Sequence, residues 1–233
     1  MLPASCRRPS GYSSFAPAAR ARQIRARLEP LTRARPEDLL AIQLDDRADY
    51  LAIWQPIFIA ALVQAGLTAE AQQVVAWSGR AAIDDPGYRL LRQFERRVAD
   101  RAFTMLAAPA VARSPHFDWS PPQRFTETAW RLLLERPLHL LDPRFADWSV
   151  WLADVAAETA SERPAACARV ERCAWGLVNS AVIRHPLSVA LPWLAAFLDM
   201  PSEPLPGDWS VPRVQSRDFG ASERFVVSPG REA

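Results

Sequence analysis

Residues 207–233 read GDWSVPRVQSRDFGASERFVVSPGREA. Trp209–Val214 and Glu223–Val227 have strand-like composition, and Asp218 with Gly220 supplies a turn between them. Phe225-Val226-Val227 is a short apolar, partly β-branched run that Ser228-Pro229-Gly230 stops. Such a run suits a strand covered on both faces. Two strands alone make a marginal sheet, and three or more are the usual minimum. These residues therefore start a sheet without finishing it, which is what a fragment does.

What precedes them is mostly helical in pattern. Pro17 sets φ for a first turn, and Ile24, Leu28 and Leu31 recur at helical spacing among arginines. A second helix starts at Pro36, with Glu37 and Asp38 at the positive end of its dipole. It is expected to run through Leu39, Leu40, Leu44 and Leu51, bend at Pro56 and stop at Gly66. Thr68 reads as the N-cap of a shorter helix that Gly79 closes. Asp85-Pro86 opens a segment whose Tyr88, Leu91, Phe94, Val98, Ala102 and Met105 form one apolar stripe. Arg89, Arg92, Arg96 and Asp100, on its other side, read as a solvated face without a binding role. After the Pro- and aromatic-rich Ser114–Pro122, helices are expected around Arg124–Glu135, Ala146–Thr159 and Pro164–Cys173. Leu177–Ile183 reads as a strand running into a turn at His185-Pro186, and Val189–Leu198 as a last helix.

Bulk composition narrows the class. Apolar and charged shares of 49% and 23% are those of an ordinary globular protein. A net charge of +2 is too small to argue for nucleic acid or an acidic membrane surface. All 28 basic residues are Arg, which reads as genomic base composition. The most hydrophobic window, Tyr50–Ala65, is interrupted by Gln55 and Pro56 and is shorter than the roughly 20 residues of a membrane span. The start has Arg7 and Arg8 but no apolar region after them, so it is not a signal peptide, and the chain as given is expected in the cytoplasm. Cys6, Cys167 and Cys173 give no even framework and no metal spacing. On a helix the last two stand about 600° apart, so small apolar packing is expected rather than a disulfide.

The residue types that carry chemistry are thinly spread. Gly220-Ala221-Ser222 lacks the second glycine of a nucleophile elbow. There is no HExxH and no phosphate-binding glycine loop. His185 precedes a proline in a turn, and His116 and His139 lie in Pro-flanked loops without an assignable partner. Asp45 and Asp46 adjoin on a helix and point to different sides, so they are not a carboxylate pair. Asn179, the one Asn, reads as a turn or strand-end residue.

His185-Pro186-Leu187-Ser188, followed by LPWLAAFLDMPSEPLPGDWSVPRVQSRDFGASERFVVSPGRE, resembles the C-terminal part of the β chain of the penicillin acylase (penicillin amidase) family. GYSSFAPAARARQIRARLEPLTRARPEDLLAIQLDDRADYLAIW resembles the helical part of that chain, and WGLVNSAVIRHPLS its Trp-Gly segment. The cover is roughly Tyr12 to Glu232. The resemblance implies an α+β fold: a predominantly helical fragment, truncated at both ends, of an N-terminal-nucleophile hydrolase αββα sandwich, with a few C-terminal strands. It implies an irregular segment over 1–16, a helical part over 17–175 and a strand and turn segment over 176–233.

The family hydrolyses linear amides, such as β-lactam side chains or N-acyl compounds. Its nucleophile is a Ser exposed by self-cleavage, whose own α-amine, with a pKa of about 7.7–8.0, serves as base. A backbone N–H and an Asn amide hold the oxyanion. This chain begins Met-Leu, none of its glycines precedes Ser, Thr or Cys, and Asn179 is not where the oxyanion Asn belongs. By resemblance Arg20 matches an Arg placed close to the nucleophile in a supporting role. Some relatives bind calcium, but the position aligned with a carboxylate ligand is Pro9, so no metal or cofactor is expected. The expected partners are the α chain and the N-terminal part of the β chain, with a small amide as substrate of the complete enzyme and neither nucleic acid nor membrane. A complete member is expected in the periplasm or secreted. Alone, this chain is expected to be inactive; the alternatives are a non-catalytic helical binding module or a truncated gene remnant.

Overall fold

The computed structural model describes residues 18–116, 125–162, 164, 167, 169–220, 224–228 and 230. Ten α-helices are described: α1 Ala19–Leu28, α2 Pro36–Gln43, α3 Asp49–Ala52, α4 Gln55–Gln64, α5 Thr68–Val75, α6 Pro86–Arg113, α7 Thr126–Glu135, α8 Trp148–Ser161, α9 Pro186–Ala190 and α10 Ala195–Leu198. Short 3-10 turns lie at Leu138–Leu140, Val170–Arg172, Trp175–Leu177 and Pro192–Leu194.

The long helix α6 is the element on which the others pack. Its start is strongly signalled: Pro86 stands in the first turn, and Asp85 Oδ1 accepts the Tyr88 N–H at 2.9 Å. The other oxygen of Asp85 accepts the backbone N–H and the hydroxyl of Ser78, which joins the cap to the end of α5. Gly87 is needed where α6 crosses α5, because a Cβ there would stand 2.3 Å from the Gln73 carbonyl oxygen. Asp147 caps α8 in the same manner as Asp85, accepting from Ser149 and Val150.

Around α6 the apolar faces close into one core. Leu51, Trp54, Phe58 and Leu62 of α3–α4, Leu91, Phe94 and Val98 of α6, and Trp151 and Val155 of α8 are all buried. Phe58 stacks on Phe94 with ring centroids 4.1 Å apart. Each such side chain contributes about 1.5–3 kcal/mol by leaving water. Among the described residues no helix is long and apolar enough to cross a membrane.

Several expectations are corrected. The helix expected from Pro36 to Gly66 is three helices, broken where Asp45 and Asp46 lie in a linker rather than on a helix. There Arg47 forms an isolated bridge with Arg80, and this pairing draws the backbone out of helical register. Among the described residues of the helix expected over Pro164–Cys173, the one helical element is the 3-10 turn Val170–Arg172. That turn brings the Cα atoms of Cys167 and Cys173 within 5.2 Å, and the two are joined by a disulfide. The 600° argument assumed a continuous helix that does not form.

The expected strands are likewise not found. Trp209–Val214 is a series of turns, Leu177–Ile183 offers only a bridge from Ser180 to Pro204, and the described part of the last segment, from Arg224, pairs with no strand among the described residues. Phe225 and Val227 are exposed rather than covered. Backbone hydrogen bonds instead tie these turns to the entry of α6: Trp175 N–H to Asp85 O, Gly207 N–H to Ala81 O, and Arg213 N–H to Asp45 O. The stretch expected to be one helix over Val189–Leu198 is α9, a 3-10 turn and α10. Pro9 and the irregular segment over 1–16 lie outside the described residues, as does most of the loop over Ser114–Pro122.

Candidate functional site

The face of α6 that composition assigns to solvent is where the sequence reading departs furthest from the structure. Arg89 and Arg92 are 2% and 1% exposed, and Glu95 beside them 1%. Arg92 Nη1 donates to Glu95 Oε2 at 2.9 Å, and its Nε lies 2.8 Å from Asp208 Oδ2. The Tyr88 hydroxyl donates to the same Asp208 oxygen at 2.6 Å, and Tyr50 donates to Glu95 at 3.2 Å. The Arg92 guanidinium also lies over the Trp209 ring, 4.6 Å from its centroid. Arg89 donates from Nε to the Cys173 carbonyl and from Nη1 to Gln93.

Burial sets the electrostatics. It disfavours the charge on Arg92, but Asp208 and Glu95 outweigh it and hold the guanidinium protonated beyond its usual range. Burial pushes the Glu95 carboxyl up against the pull of Arg92. It raises the Tyr88 phenol as well, helped by the charge on Asp208. Arg96 is lowered, first by burial and then by the neighbouring Arg92.

Beside this cluster opens a cavity of about 640 Å³. Its lining includes the arginines Arg92, Arg96 and Arg97, the carboxylates Asp100 and Glu162, and the apolar Pro164, Trp175 and Val178. Arg97 is occupied by Glu158 and Glu162. Arg96 makes no hydrogen bond or ion pair with a described residue, and Arg92 Nη2 has no acceptor among them. Among the described residues the lining holds no Ser, Thr, Cys or His; its carboxylates are Asp100 and Glu162, and Glu162 is taken up by Arg97.

Other candidates resolve into local structure. Asn179 is buried, and its Nδ2 donates to the carbonyls of Leu205, Gly207 and Gln215, a turn-holding role of the kind its sequence context suggests. His185, Ser188 and Asp199 meet, but in the wrong order for a triad. The Ser188 hydroxyl contacts Asp199 directly, while His185 Nδ1 accepts the Leu187 N–H and caps α9. Asp45 and Asp46 are both buried, and each has its own arginine, Arg47 at 2.9 Å and Arg80 at 2.6 Å, so they are not a carboxylate pair. His139 lies in the 3-10 turn Leu138–Leu140, and His116 is exposed.

Arg20 is exposed on the first turn of α1, one turn before Ile24. Ile24 and Leu28 line a second cavity of about 470 Å³, closed on its far side by Phe225 and Val227. No group of His, Cys, Asp and Glu among the described residues could hold a metal ion.

Sequence reasoning missed Tyr88, Arg92, Glu95 and Asp208 as a unit. The i, i+3 spacing of Arg92 and Glu95 was a readable ion-pair signal. Nothing local pointed to Asp208. Comparison with known proteins adds one finding: the family model described as penicillin amidase matches residues 3–233. No curated protein matches the chain.

Proposed function

The chain belongs to the penicillin amidase family, and from that premise we propose that it is the scaffold portion of an acylase-like amidohydrolase that cleaves linear amides. The family match along nearly the whole chain is the observation that carries this reading. In the complete enzyme the helices around α6 would form a helical layer of an αββα sandwich, and the rest of the acylase would supply the sheets. The nucleophile and the oxyanion Asn would come from outside this sequence. Two observations support that division. No glycine here precedes Ser, Thr or Cys, and the one Asn is fully engaged by three backbone carbonyls. Arg20, exposed on α1, would face the nucleophile once the remainder is in place.

A chromogenic phenylacetyl anilide tests the proposal. The chain alone should release no aniline, and co-expression with a coding region that supplies a Ser-led strand and an Asn should restore release. Turnover by the chain alone overturns the division of labour. Silence after co-expression overturns the amidase reading. One observation favours a second reading, a self-contained helical module: α3 to α8 close around one core without any sheet among the described residues. Cooperative unfolding of the isolated chain would support it.

A further inference from the structure

We propose that the cavity between α6 and Trp175–Val178 binds a small organic carboxylate with an apolar body, held at its charged end by Arg92 and Arg96. This site is separate from the amide-cleaving reading and holds or fails independently of it.

The cation side comes from one helix. Arg92 and Arg96 are four residues apart and so project from the same face of α6. Arg92 is almost wholly removed from water; its Nη1 donates to Glu95, and its Nε lies 2.8 Å from Asp208 without making a hydrogen bond. Its Nη2 has no acceptor among the described residues. A guanidinium has five N–H donors and no acceptor, so leaving one of its nitrogens dry and unmatched is unfavourable. Arg96, next along the wall, has no anionic partner in contact among the described residues. Its charge is opposed by burial and by Arg92. A carboxylate between the two would supply both missing acceptors in the planar geometry that arginine favours, and would relieve the repulsion between like charges.

The apolar part of the lining selects what is attached to that carboxylate. Pro164, Trp175 and Val178 give the same cavity of about 640 Å³ aliphatic and aromatic surface. Trp175 is fixed there because its Nε1 donates to the Gly207 carbonyl at 2.9 Å, so this wall is preformed. A bare inorganic anion would satisfy the arginines and leave the apolar wall uncovered.

Titration calorimetry of the full chain with benzoate tests the assignment, with benzyl alcohol and inorganic phosphate as the other arms. Benzoate should bind saturably, and more tightly than either. Arg96→Gln should weaken it roughly tenfold or more, the loss expected for one charge-assisted hydrogen bond. Arg144→Gln removes an equal charge from a surface arginine paired with Asp142, and should leave benzoate binding unchanged. Far-UV circular dichroism of both variants separates loss of the site from loss of the fold. Failure of benzoate to bind overturns the proposal, as does equal affinity in folded Arg96→Gln. Benzyl alcohol binding equally well removes the role of charge. Phosphate binding equally well removes the apolar body, and the assignment falls in either case.

Discussion

The Tyr88 hydroxyl donates to Asp208 Oδ2 at 2.6 Å across 120 residues of chain. This contact and the Arg92 ion pair share one carboxylate oxygen. Asp208 therefore both satisfies a buried phenol and neutralises a buried guanidinium. It fastens the turn over 207–214 to the central helix.

Asp208→Asn should accordingly destabilise the protein far more than a surface change would. The change leaves buried Arg92 with Glu95 as its one carboxylate in contact among the described residues, at a cost of about 3 kcal/mol, the low end for breaking a buried pair. Tyr88→Phe should cost less, about 1–2 kcal/mol, since it removes a hydrogen bond but no charge. Urea unfolding of the two variants, read by tryptophan fluorescence, checks the order; a Tyr88→Phe loss exceeding that of Asp208→Asn contradicts it.

Gly207→Ala is expected to cost about 2 kcal/mol or more. Gly207 has φ of +85°, where an L side chain is strained. An added Cβ would also lie 2.1 Å from the Arg213 carbonyl oxygen, which is backbone and cannot swing aside. Gly66→Ala has the same backbone strain at φ +74° but open space around its Cβ. The difference between their melting temperatures isolates the clash, and equal losses would rule it out.

Asp45 gives a pH-dependent contribution of defined sign. Burial would raise its carboxyl, but hydrogen bonds from Arg47 and Gln23 and the Arg47 charge outweigh it and hold the pKa below the usual range. A lowered folded pKa stabilises above the unfolded value of about 3.9 and loses that contribution as pH falls through the folded value. The stability gap between wild type and Asp45→Asn should therefore persist near about pH 6 and narrow toward about pH 3. Urea midpoints at the two pH values measure it, and a gap that widens in acid gives the opposite sign.

The Cys167–Cys173 bridge closes a short loop. Loop-closure entropy for so few residues is worth about 2 kcal/mol. Cys167→Ser should lower stability by that amount in oxidising buffer, seen as a lower thermal midpoint, and dithiothreitol should bring wild type down to the variant. Insensitivity of wild type to reductant would mean the thiols are not bridged.

What the sequence displayed was the helices whose ends carry their own punctuation. Asp85-Pro86 at the start of α6 and Gly66 after α4 are local signals, and both were legible. The apolar stripe from Tyr88 to Ala102 was legible for the same reason, since period alone marks it. The strands were not, because Trp209–Val214 has the composition of a strand while its backbone bonds close local turns and reach Asp45 through Arg213 instead of a neighbouring strand. Arg92 was misread because a charged side chain is ordinarily solvated, and only a partner far along the chain makes its burial tolerable. No window around α6 contains Asp208. The disulfide was missed through an assumed helix that a 3-10 turn replaces.

The three carbonyls gathered by Asn179 have a consequence for synthesis of the chain. Leu205, Gly207 and Gln215 leave a ribosome well after α6, and Asp208 leaves with them. Until they emerge, α6 carries Arg92 with Glu95 as its counter-ion but without Asp208. The nascent helices can collapse early, yet locking of their polar interior waits until translation has passed Asp208.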